Sequence, residues 1–119
     1  MAYTLLHEGD SSIESFRGVF MKMRRALGTT AFGLNEVRLP PGAGGTEHDE
    51  TATGHEEVYV VLSGEGTFTI DAEDVSVTQG DYLRVDPSST RQVAAGPEGL
   101  RFIVIGARPQ PRYDGRESL

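Results

Sequence analysis

The chain has 119 residues and a net charge of −7, with 37% hydrophobic and 24% charged residues, which suits one globular domain with a modest core and excludes a disordered chain. Its basic residues form no run, and this with the acidic balance excludes a nucleic-acid groove, because phosphates demand a clustered positive patch. No cysteine is present, so disulfides, zinc–thiolate centres and thiol nucleophiles are excluded as well. The first eight residues lack a basic stretch and a long apolar run, and no stretch approaches about 18 consecutive apolar residues. Neither a secretory signal nor a membrane span is expected, and a cytoplasmic location is the expectation.

In chain order, residues 1–15 are mixed and polar, with Gly9-Asp10-Ser11-Ser12 as a loop signal. Residues 12–27 predict one or two short strands or an irregular arm. The capping pattern there is poor and Gly18 weakens a helix, while Phe16, Val19, Phe20, Met21 and Met23 have the character of packing residues. Residues 32–39 alternate as a strand that Pro40-Pro41-Gly42 must stop. The β-branched and aromatic run 57–62 predicts a strand, Ser63-Gly64-Glu65-Gly66 a tight hairpin turn, and residues 67–70 the returning strand. Asp71-Ala72-Glu73-Asp74 predicts a further turn, residues 75–77 a brief strand, and Gln79-Gly80-Asp81 a turn into residues 82–85. Asp81 is read as a turn residue whose side chain caps backbone donors. Pro87-Ser88-Ser89 breaks the chain before residues 91–93, and Gly96-Pro97-Glu98-Gly99 leads into a last strand over 100–105. Many short strands with turn signals between them indicate an antiparallel sandwich or closed barrel.

Gly42 stands six positions before His48, and Glu57 seven before Gly64; Gly80-Asp81-Tyr82-Leu83-Arg84-Val85 leads on to Pro87. With the Pro40-Pro41-Gly42 lead-in and the Val61-Leu62-Ser63-Gly64-Glu65-Gly66 segment, these residues resemble the two motifs of the cupin superfamily, G-x5-H-x-H-x3,4-E-x6-G and roughly G-D-x4-P-x4-H. The resemblance implies an all-β fold, an antiparallel double-sheet β-barrel of the jelly-roll type, over residues 27–107. Residues 1–26 would be an N-terminal arm or extra strands, and residues 108–119 an extended tail. It also implies a homodimer, formed by sheet extension or exchange of N-terminal strands.

The departures from the family pattern bear on function. Glu50 stands where the second histidine would fall, residues 51–56 lengthen the loop before Glu57, and Arg91 stands at the last histidine position, with Gln92 as a one-residue alternative. The family's site sets three imidazoles and one carboxylate in the barrel mouth, donors that suit Fe, Mn, Ni, Cu or Zn. Here His48, His55 and Glu57 form a candidate ligand set, with or without Glu50, since positions i and i+2 of a strand share a face. Arg91 opposes it: guanidinium donates no lone pair, and at about 4 Å it would repel a dication by on the order of 8 kcal/mol. Arg91 could equally replace the metal by pairing with Glu57 or Glu50.

The loop acids Glu47, Asp49 and Glu56 and the imidazole of His7 read as solvated groups, and Asn35, Arg38, Tyr59, Arg84 and Arg101 depend on a register that one residue of slip would reverse. No G-x-S-x-G elbow supports nucleophilic catalysis. The leading expectation is a small-molecule binder whose barrel mouth is set by Glu57, Arg91 and Tyr59, acting without a catalytic metal. The alternative is a metal-dependent enzyme of the oxygenase, isomerase or epimerase type using His48, Glu57 and His55 or Glu50. A third reading is a structural homodimer with a filled interior.

Overall fold

A computed structural model describes residues 2–110. The elements are β1 (Ser15–Phe16), β2 (Phe20–Met21), α1 (Met23–Leu27), β3 (Gly33–Leu39), β4 (Glu56–Ile70), β5 (Glu73–Thr78), β6 (Tyr82–Val85) and β7 (Arg91–Ala107). The strands pair in the order β1-β2-β3-β7-β4-β5, with β6 added to β4. Each pairing between these strands is antiparallel.

Two long strands organise the rest. The N-terminal half of β4 lies against the C-terminal half of β7, as in Glu57↔Gly106 and Val61↔Phe102, with β3 and β6 on the outer sides. The C-terminal half of β4 lies against the N-terminal half of β7, from Gly66↔Ala95 to Ile70↔Arg91, with β5 outside. The register shifts between Val61 and Ser63 and again between Gly64 and Gly66. The sheet thus has two leaves, and both long strands run through both.

The hairpin turn expected at Ser63–Gly66 and the loop expected at Gly96–Gly99 are therefore not turns but irregular stretches inside continuous strands. The glycines there serve a close crossing of two backbones. Gly64 has φ +79°, and a Cβ on it would lie 2.0 Å from the Gly99 carbonyl oxygen; one on Gly66 would lie 2.5 Å from that of Ala94. The same residue types that permit a reversal permit a bulge, and here the bulge prevails. A true reversal joins β4 to β5, where Asp71 and Ala72 both take positive φ, +47° and +71°, matching the hairpin twist. Asp81 accepts a hydrogen bond from the Thr78 amide at 2.8 Å and so caps the next turn.

Burial records the bulges as a change of parity. Tyr59 and Val61 face inward from β4 before the shift, and Phe68 after it. In β7, Arg91 and Ala95 are buried before the irregularity, Leu100 and Phe102 after it. Leu62 is the extra residue in β4, and in β7 the four residues 96–99 stand opposite Glu65 alone; both irregularities return the apolar side to the same interior. That interior holds Val37 and Leu39 from β3, with Tyr59, Phe68 and Phe102 as an aromatic group whose ring centres lie 4.7 to 5.6 Å apart. Each such ring adds about 1.5–3 kcal/mol through removal of its surface from water.

The expected closed barrel is corrected to an open ladder. Residues 40–50 cross beside the first half of β7 but contribute only the isolated bridges Gly44↔Ala94 and His48↔Arg91. Pro40 and Pro41 lack the N–H groups that a continuous strand would need there. Where residues 12–27 were expected to form one or two short strands or an irregular arm, the structure has two two-residue strands, β1 and β2. A five-residue helix, α1, follows them and was not expected; Gly28 ends it with φ +78° and donates its N–H to the Arg24 carbonyl. Such a helix is too short for apolar periodicity to show.

On the outer face, Glu36 accepts hydrogen bonds from Arg101 and Arg38, and Glu8 of the N-terminal arm pairs with Arg38 at 3.1 Å. Among the described residues no helix is long and apolar enough to cross a membrane. Of the tail expected over residues 108–119, the part from residue 111 onward lies outside the described residues.

Candidate functional site

Between the leaves lies a cavity of about 630 Å³, walled by Val37, Phe68, Val93, Phe102 and Val104 and carrying a polar group at one side. The start of β4 supplies two members of that group. Glu57 and Tyr59 alternate onto one face, and the Tyr59 hydroxyl donates to Glu57 Oε1 at 2.7 Å. Burial, reinforced by the Glu57 carboxylate that accepts this bond, pushes the Tyr59 phenol well above its ordinary range. It stays a neutral donor at any physiological pH.

Arg91, the first residue of β7, is 1% exposed. Its Nη1 donates to the Ser89 carbonyl at 2.7 Å, while Nη2 lies 3.4 Å from Glu57 Oε1, an ion-pair contact that falls short of a hydrogen bond. Among the described residues, the buried side-chain polar atoms with no hydrogen-bond partner are Arg91 Nε and Nη2. A guanidinium left in this state costs free energy that any acceptor entering the cavity would recover.

His48 and Glu50 arrive from the 40–50 segment. The backbones of His48 and Arg91 exchange two hydrogen bonds, at 3.0 and 2.8 Å, and this bridge fixes the loop against β7. Two residues on, Glu50 Oε2 lies 3.5 Å from His48 Nε2, and its Oε1 accepts from the Thr53 hydroxyl at 3.0 Å. One donor atom each from His48, Glu50 and Glu57 falls within 4.8 Å of the others.

The structure thus brings His48, Glu50, Glu57, Tyr59 and Arg91 to one cavity and leaves His55 outside that group. His55 lines an adjoining recess of about 550 Å³, which it shares with Arg24, Asn35 and Arg108; Glu50 and Glu57 border both spaces. The loop acids disperse. Asp49 turns to the amide and hydroxyl of Thr51, and Glu56 pairs with Arg84. Of the register-dependent residues, Asn35 and Tyr59 line the cavity, while Arg38 and Arg101 join Glu36 and Arg84 joins Glu56 and Asp86. Gln92 reaches the cavity edge and donates to the Gly45 carbonyl at 3.1 Å. Phe16, Val19 and Phe20 also line the cavity. The sequence marks them as packing residues, and nothing in it signals that their packing borders a binding space.

Comparison with known proteins follows the same lines. Residues 35–106 match the family model of the cupin domain. An oxalate-binding protein from Thermotoga maritima is 28% identical over 83 residues, 69% of this chain and 67% of its own length. The crystal structure of a cupin protein from Bacteroides fragilis superposes with a TM-score of 0.78 at 27% identity, covering 100% of this chain and 99% of that one. A predicted oxalate decarboxylase from Thermotoga maritima superposes with a TM-score of 0.59 at 27% identity, over 65% of this chain and 66% of its own.

Proposed function

The chain belongs to the cupin family, and from that premise we propose that it binds a small organic molecule in the cavity between its two leaves. The observation that carries this reading is Arg91: a guanidinium 1% exposed, lining an apolar cavity, with two donor nitrogens that no protein acceptor satisfies. Apolar walls with a few convergent polar groups are the general make-up of a ligand site. The oxalate-binding protein to which the chain is similar supports a small-molecule role, and we read the two-leaved sheet as the jelly roll of the family.

One observation favours a second reading, a metal-dependent enzyme of the oxygenase, isomerase or epimerase type. His48, Glu50 and Glu57 lie close enough together to hold one divalent ion, and an imidazole with two carboxylates suits Fe, Mn, Ni, Cu or Zn. If bound, such an ion would polarise a substrate oxygen or activate water. Arg91 counts against it, because its Nη2 already lies 3.4 Å from the Glu57 oxygen such an ion would want.

Metal analysis of protein purified without a histidine tag separates the two. The binding reading expects less than stoichiometric metal, and fragment binding that shifts the amide resonances of Val93 and Val104 without added metal. Stoichiometric metal, lost in His48→Ala, would give the preference to the enzyme.

A further inference from the structure

Resting on the binding reading above, we propose that the ligand is a zwitterion, an α-amino acid with an apolar side chain, its carboxylate on Arg91 and its ammonium on Glu57 and Glu50. The argument starts from two buried donors that make no hydrogen bond, Nη2 having only its 3.4 Å ion-pair contact with Glu57. Nε and Nη2 are adjacent on the planar guanidinium and fit the two oxygens of a carboxylate, a match that an uncharged acceptor makes less well. Ser89 holds the opposite side of the fork through Nη1, so the fork is oriented before the ligand arrives.

Charge balance then favours a ligand with its own cation over a plain anion. Glu57 and Glu50 border the same cavity, so a carboxylate alone would add a third negative group around one guanidinium. A ligand that brings its own cation avoids this. In the site the opposite charges lie side by side, with Arg91 Nη2 3.4 Å from Glu57 Oε1. In an α-amino acid the ammonium and carboxylate are likewise neighbours, separated by a single carbon. The ammonium has an acceptor in the Glu57 oxygen that Tyr59 does not use, and adds to the partners that Thr53 and His48 already give Glu50. Beyond the charges, Val37, Phe68, Val93, Phe102 and Val104 offer nothing to a polar side chain.

Calorimetric titration of the full chain, after dialysis against chelator and then chelator-free buffer, tests the assignment with phenylalanine, 3-phenylpropanoate, 2-phenylethylamine and 3-phenylpropanol. Phenylalanine is expected to bind most tightly, with each singly charged probe weaker by about tenfold or more. Arg91→Met should lose that margin over 2-phenylethylamine. Glu50→Gln, in a partly exposed loop position that leaves the core untouched, should narrow the margin over 3-phenylpropanoate instead. Thermal melts of both variants establish that they are folded. Equal or tighter binding of 3-phenylpropanoate by the unaltered protein would overturn the proposal in favour of a carboxylate site, as would binding that requires added Mn²⁺ or Zn²⁺. Equal binding of 3-phenylpropanol would refute the charge assignment while leaving the cavity reading intact. If none of the four probes binds or moves the amide resonances of Val93 and Val104, the cavity reading falls with it.

Discussion

Replacing Gly64 by alanine tests the crossing that folds the sheet into two leaves. Two costs add at this position. Alanine at φ +79° pays about 1–2 kcal/mol for left-handed backbone. Its Cβ would also stand 2.0 Å from the Gly99 oxygen, 2.8 Å from the Gly99 carbonyl carbon and 3.2 Å from Leu100 Cα. All three are main-chain atoms in a paired strand, so no side-chain rotation relieves the contact, and β4 and β7 must separate. Overpacking of this kind adds about 1–3 kcal/mol, for a total of about 2–5 kcal/mol, a large part of a small domain's stability. Gly42→Ala is the control: φ there is +73°, but nothing lies within 4 Å of the new Cβ, so only the backbone cost applies. Urea unfolding of the two variants at neutral pH gives the comparison through their midpoints. Gly64→Ala should be the less stable by about 1–3 kcal/mol. Equal destabilisation, within about 0.5 kcal/mol, would mean that Gly64 sits in open space as a hairpin residue would, and the reasoning would fail.

Other expectations concern the polar groups and the assembly. Burial pulls the Glu36 carboxyl upward, but hydrogen bonds from Arg101 and then Arg38 outweigh it and hold the group below its ordinary 4.5. A depressed carboxylate contributes stability that is present above pH 4.5 and fades as pH falls toward the folded-state value. Urea midpoints at pH 7 and pH 3.5 should therefore differ less in Glu36→Gln than in the parent, and Glu36→Gln should cost about 2 kcal/mol at pH 7. Tyr59→Phe removes the donor to Glu57 and should destabilise by about 1–2 kcal/mol, read by thermal melts; a neutral outcome would show that the bond adds nothing. Phe68→Ala, at a ring 1% exposed, should cost about 3–5 kcal/mol, and a loss under 1 kcal/mol would show that the aromatic group is loosely packed. The N-terminal arm presents Tyr3 and Leu5 to solvent, so we propose that a second copy of the chain covers it. Gel filtration should give a dimer for the full chain and a monomer after deletion of residues 2–14; a monomeric full chain would refute this.

Much of the strand arrangement was readable because burial imposes alternation. Val58-Tyr59-Val60-Val61 and Tyr82-Leu83-Arg84-Val85 are strands by pattern and strands in the structure. Ser63-Gly64-Glu65-Gly66 and Gly96-Pro97-Glu98-Gly99 misled because glycine serves both reversal and close backbone approach. The parity of the apolar residues, odd to Val61 and even at Phe68, does not separate the two, since a four-residue turn at 63–66 would pair Val61 with Phe68 and one extra residue in a continuous strand gives the same change of phase. At the site, spacing singled out His48, Glu57 and Arg91, and the bridge between His48 and Arg91 sets that imidazole beside their cavity. His55 has the favourable strand parity relative to Glu57 and nevertheless lies in the neighbouring recess. Proximity across the sheet depends on contacts between segments distant in the chain, which local pattern does not encode.

The long pairing of β4 with β7 also has a kinetic consequence. Its partners are remote in sequence, from Ile70↔Arg91 out to Glu56↔Ala107, as are those of β3 with β7, so closing these ladders carries a large loop entropy and should make the chain a slow folder. Glu57 and Arg91 meet only when the β4–β7 ladder has zipped along its full length. A species zipped at one end alone should lack a working pocket, and recovery of binding on refolding should track the last, slowest phase.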